Sequence, residues 1–171
     1  MRINVTEVLL GKFELNEGKL IATDPCYEVS DRLNCKVEVK KGEYSAHSRY
    51  GRVGDWGERV IELTINHSTT PKKRATKLIG MCAVDSGQCG FFELEDYTKF
   101  HPNRETLESE AWYNRACKVT CNDKRHNCGM LTSKKKIVGA VSESGIGDGY
   151  YELFAGYNSK GEITALRLRY L

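Results

Sequence analysis

The chain has 171 residues, with 26 basic and 23 acidic side chains, a formal net charge of +3, and 40% apolar residues. A balance so close to neutrality excludes arguing for a nucleic-acid or membrane partner from charge alone. The length suits one domain, residues 1–171, with a real core. The opening Met1–Glu7 lacks the apolar centre of a signal peptide, and no window approaches a membrane span, so a cytoplasmic location is expected. Seven cysteines, an odd number in a chain of this size, are expected to be reduced thiols.

Taken in order, the elements are short strands. Residues 3–23 read as a hairpin turning at Asn16-Glu17-Gly18, and Asp24-Pro25 stops it. Val37 and Val39 alternate with polar residues, Lys41-Gly42 turns, and Tyr44, Ala46, Ser48 and Tyr50 continue with period two. A glycine-rich break at residues 51–57 precedes a strand over 59–66, with Ile61, Leu63 and Ile65 on one face and Glu62 and Thr64 on the other. Residues 78–84 and 90–94 read as a strand pair around Asp85-Ser86-Gly87-Gln88. Three more strands follow over 137–141, 150–157 and 162–170, the last two joined at Asn158-Ser159-Lys160-Gly161.

One segment departs from period two. Leu107, Ala111, Trp112, Ala116 and Val119 share a helical face, and Asn103 or Thr106 can cap its start, which predicts one amphipathic helix at about residues 104–118. The expected fold is therefore mainly β: a single-domain β-sandwich or distorted β-barrel carrying that helix.

The loop Ser144-Gly145-Ile146-Gly147-Asp148-Gly149 lies between two strands, so it is neither a P-loop nor a dinucleotide fingerprint, both of which lead into a helix. Its commoner reading is a turn with glycines at positive φ; the sharper one is a close backbone approach to a ligand.

The segments Asp24-Pro25-Cys26-Tyr27, residues 84–92 and residues 144–163 together resemble a family of unknown function found in bacterial and phage genomes. The resemblance implies a mostly-β domain in a phage or mobile-element setting and carries no established activity. It marks the turns around Asp24, Asp85 and Asp148. Turns at one end of a β scaffold are where binding groups gather. If these turns meet, they bring Asp24, Cys26, Tyr27, Asp85, Ser86, Gln88, Ser144, Gly145, Gly147, Asp148, Gly149 and Tyr150 to one site. That mixture suits a small polar or nucleotide-like ligand. Against it stands the ordinary role of Asp and Ser in bonding their local backbone.

No catalytic residue is assigned and no cofactor is expected. Cys117, Cys121, His126 and Cys128 have zinc-capable chemistry, but their spacing matches no familiar zinc knuckle, so no metal is expected. The basic runs at residues 71–77 and 133–136 read as solvated loops without the aromatic interleaving of a single-strand binder, so nucleic acid is not the expected partner. The leading functional expectation is a phage counter-defence protein that sequesters a nucleotide-derived host signal. The alternatives are inhibition of a host defence protein by surface contact, and hydrolysis of such a signal. Homo-oligomerisation is left open, and no membrane partner is expected.

Overall fold

A computed structural model describes residues 4–71, 74–101 and 105–171. The strands are β1 (Val5–Leu15), β2 (Lys19–Thr23), β3 (Cys35–Glu38), β4 (Gly42–Arg52), β5 (Glu58–His67), β6 (Lys77–Val84), β7 (Gln88–Glu93), β8 (Cys128–Ser133), β9 (Lys136–Glu143), β10 (Gly149–Tyr157) and β11 (Ile163–Arg169). Between β7 and β8 lie helices α1 (Leu94–Phe100) and α2 (Leu107–Thr120). A six-stranded sheet, β1-β4-β5-β11-β10-β6, faces a five-stranded sheet, β3-β2-β7-β9-β8. The fold is a mainly-β sandwich, and neither sheet closes into a barrel.

Period-two patterning sets the inner faces. Phe13, Leu15, Tyr44, Ala46, Leu63, Ile65, Leu153, Leu166 and Leu168 of one sheet meet Leu20, Ala22, Cys89, Phe91 and Ala140 of the other. Ile61 lies at a bulge between the pairs Tyr50↔Val60 and Arg49↔Glu62, so Val60 rather than Ile61 joins that core.

Two expected hairpins are sheet crossovers instead. β1 pairs with β4, and β2 pairs with β3 and β7, so residues 16–18 carry the chain from one sheet to the other. Likewise β6 pairs with β10, and β7 with β2 and β9, so residues 85–87 form a second corner. A short polar loop serves a hairpin or a corner equally well. The choice falls to the apolar faces, which here look at one another across the core. The expected final hairpin, β10–β11, is present. A further hairpin joins β8 to β9 through Lys134 and Lys135, both at positive φ, which accounts for the second basic run as a turn.

A short helix, α1, was not expected. The Glu93 carboxylate caps it by accepting from the Asp96 amide at 2.7 Å. The one expected helix, at about residues 104–118, is α2, Leu107–Thr120, capped by Thr106, whose hydroxyl accepts from the Ser109 amide; Asn103 lies outside the described residues. Its buried face is Ser109, Trp112, Ala116 and Thr120, with Val119 packed alongside. Leu107 and Ala111 point to solvent, because the stripe is centred on Trp112 and they sit to one side of it.

Both helices cover the outer face of the five-stranded sheet, where Ile21, Phe92, Leu131, Val138 and Val141 meet Tyr97, Trp112 and Ala116. The Phe92 ring lies flat between Gly90 and Gly139: a Cβ on Gly139 would stand 2.7 Å from Phe92 Cδ1 and 2.1 Å from the Phe91 carbonyl oxygen. Gly139→Ala is therefore expected to lose about 1–3 kcal/mol by overpacking. Urea unfolding checks this, and an unchanged midpoint would show that the sheet and ring yield freely.

Candidate functional site

The crossovers place three turns at one end of the sandwich, and buried Asp24 ties two of them together. Its Oδ1 accepts from the Cys26 amide at 2.8 Å and from Ser86 Oγ at 2.6 Å. Its Oδ2 accepts from the Asp85 and Ser86 amides at 2.8 and 2.7 Å. Tyr97 donates its hydroxyl to the carbonyls of Asp24 and Tyr27, anchoring the same turn to α1. The third turn joins through the Ser144 amide, which donates to Gly87 O at 2.9 Å.

Beside this hub opens a cleft of about 330 Å³, lined by Cys26, Asp85, Ser86, His101, Ser109, Glu110 and Tyr113. The turns supply the first three. The helical segment supplies the other four, His101 from the end of α1 and the rest from the first two turns of α2. His101 is 2% exposed, stacks on Tyr97 and has Nδ1 3.4 Å from Ser109 Oγ. Behind the cleft, Gln88 Nε2 donates to Ser86 Oγ at 3.3 Å, while its Oε1 accepts from Thr120 at 2.8 Å.

Burial pushes the Tyr113 phenol up to about 12, with the adjacent Cys117 thiol acting in the same direction and the Ser86 hydroxyl against it. Burial also raises Tyr27, helped by the negative charge of Asp85. The cleft thus presents phenol as a neutral donor. Burial lowers His101 from its ordinary 6.5, outweighing the Cys26 and Pro25 backbone contacts that favour its cation. The folded imidazole therefore resists a proton that the unfolded one accepts. Its contribution to stability is complete above 6.5 and is lost as the pH falls from there through the lowered folded value. The urea midpoint is expected to drop more steeply for the wild type than for His101→Gln between about pH 7.5 and about pH 5.5. Parallel curves would show that His101 protonates alike in both states.

The remaining marked residues lie elsewhere at this end. Asp24 and Gln88 are buried, with side-chain polar atoms engaged inside the protein. Ser144 is buried and donates to Gly147 O at 2.6 Å, which also accepts from Tyr151 at 2.7 Å, so the glycine loop is closed upon itself. Gly145, at φ 71°, packs where a Cβ would meet Tyr170 Cβ at 3.0 Å. Gly145 and Gly147 border a separate hollow of about 270 Å³ with Trp56, Arg59 and Ile146. Asp148 and Tyr150 are exposed; Tyr150, like Gly149, does not line the larger cleft.

His101, Ser109, Glu110 and Tyr113 are cleft residues that the strand motifs do not mark. The available signal is helical: Ser109 and Tyr113 are four apart on the flank of the Trp112 face. The candidate zinc ligands diverge. Cys117 faces Gln88, Cys128 donates to Arg125 O, and His126 stacks on Tyr50 beside Glu58. Among the described residues no group of three His, Cys, Asp or Glu side chains is placed to hold a metal.

Fold and site together define an antiparallel two-sheet sandwich with a polar cleft roofed by helices at one end. The chain belongs to the family described as Protein of unknown function (DUF4241), whose model matches residues 13–168. No curated protein and no solved structure matches it. Among the described residues, no helix is long and apolar enough to cross a membrane.

Proposed function

We propose that the protein binds a small polar ligand with a planar part, of the nucleobase or nucleoside kind, in the 330 Å³ cleft. The observation that carries this reading is the Asp24 hub, which holds Ser86 and Asp85 at the cleft wall through three hydrogen bonds, and Cys26 through a fourth, before any ligand arrives. Two carboxylates, Asp85 and Glu110, flank the opening, so an unscreened phosphate is disfavoured inside and the base end of a nucleotide is favoured. Neutral Tyr113 supplies a donor, and His101 a neutral imidazole held beside Ser109. We further propose capture of a nucleotide-derived host signal as the setting, which rests on the resemblance of the three turn motifs to phage-borne sequences.

Native mass spectrometry with a pooled panel of nucleobases, nucleosides, nucleotides and cyclic dinucleotides tests this. One ligand per chain, released unchanged on heating, is expected, with Tyr113→Ala weakening it at least about tenfold. No bound species across the panel would overturn the proposal. Release of altered ligand would replace capture by catalysis, with Cys26 and His101 the thiol and base to test first. A second reading, contact with a protein factor, is favoured by Trp56 and Ile146, 60% and 51% exposed, bordering one hollow at the glycine loop.

A further inference from the structure

On the outer face of the six-stranded sheet, strand register builds a row of alternating charge. Glu7 lies opposite Arg49, Arg49 opposite Glu62, Glu62 opposite Arg169, and Arg169 opposite Glu152. Cross-strand neighbours of opposite sign attract, so this ladder compensates itself. Two further arginines sit over it, and among the described residues neither has a carboxylate of its own. Arg167, 5% exposed, comes from β11; Arg74 comes from the basic run ahead of β6.

Both turn to Glu62, which is already engaged. Arg49 Nη1 holds Glu62 Oε1 at 2.8 Å. Arg167 Nη1 and Arg74 Nη2 share Glu62 Oε2 at 3.4 and 3.6 Å, well beyond the roughly 2.7–2.9 Å of a charge-assisted bond. Arg167 is fixed by Nε donating to Ala75 O at 3.0 Å and by the Phe154 ring 4.3 Å away. Burial lowers its pKa, and the Arg74 and Arg169 charges act in the same direction, against Glu62. The surrounding groove, about 470 Å³, is lined by three arginines and two glutamates, with Thr64 and Asn66 on its floor.

We propose that this groove is an oxyanion site, taking one phosphate or carboxylate group between Arg74 and Arg167. A guanidinium offers five N–H donors in a fork that matches such a group, and Arg167 is held rigid with its charge incompletely matched. The site lies on the sheet face away from the helices and does not depend on the reading of the cleft. It also gives Arg74, of the first basic run, a function that composition does not show.

The test follows arginine Nε–H resonances while the full chain is titrated with inorganic phosphate and, separately, with acetate at constant ionic strength in chloride. A saturable shift of the Arg167 signal is expected, weakened at least tenfold in Arg74→Ala and in Arg49→Gln. Because Arg74 is exposed, Arg74→Ala should keep the wild-type unfolding midpoint. Saturation by phosphate would assign the site to phosphate groups, and saturation by acetate alone to carboxylates. No saturable shift with either ion, or binding unchanged in Arg74→Ala, would overturn the site.

Discussion

Asp24→Ala is expected to destabilise the protein by about 3–5 kcal/mol. Asp24 is fully buried, and its carboxylate is the acceptor for three backbone amides and the Ser86 hydroxyl. Alanine removes every acceptor at once and fills none of the space. The part-buried amides of Cys26, Asp85 and Ser86 then lose their partner, and each donor left without one costs up to about 1–3 kcal/mol, the sum being less than additive. Asp24→Asn keeps one acceptor oxygen but turns an N–H₂ toward these donors, so it should recover part of the loss. Urea unfolding followed by tryptophan fluorescence measures both variants. A loss below about 1 kcal/mol in Asp24→Ala would mean that water replaces the carboxylate. The hub would then not hold the cleft wall.

Trp112→Ala should cost a similar amount, about 3–5 kcal/mol, by a different route. The indole is fully buried, edge-on to Phe92 and Tyr97 with centroids 5.4 and 5.5 Å away, and stacked on Phe100 at 5.8 Å. It is the largest side chain fixing α2 to the five-stranded sheet. Trp112→Phe should cost much less, because Trp112 Nε1 has no hydrogen-bond partner among the described residues and deleting it strands no acceptor. The two variants separate stability from site assembly. Ser109, Glu110 and Tyr113 hang from the same two turns of helix, so Trp112→Ala should also abolish any ligand uptake by the cleft. Equal losses for Ala and Phe would show that the polar edge, rather than ring packing, holds the helix.

The two substitutions probe opposite sides of one construction. The sandwich corners bring Cys26, Asp85 and Ser86 to the cleft from below, and the docked helices bring His101, Ser109, Glu110 and Tyr113 from above. Neither half encloses the space alone. Gly90 and Gly139 link them, since they let Phe92 lie flat enough for Trp112 to settle on it.

By itself the sequence determined what depends on near neighbours. Period-two runs mark β4, β5, β10 and β11, and the stripe through Trp112 and Ala116 marks α2. Gly145 and Gly147 mark a tight turn. Three motif segments resemble a family of unknown function, and the chain belongs to one. Tertiary structure decided everything that depends on which strand lies beside which. Residues 16–18 and 85–87 turn corners between sheets because apolar faces must meet across a core, and no local signal distinguishes a corner from a hairpin. Asp24 is a structural acceptor rather than an exposed ligand group because β2 ends beneath the β6–β7 corner. The ladder from Glu7 to Glu152 spans five strands with residues far apart in the chain, and only sheet register brings those charges together.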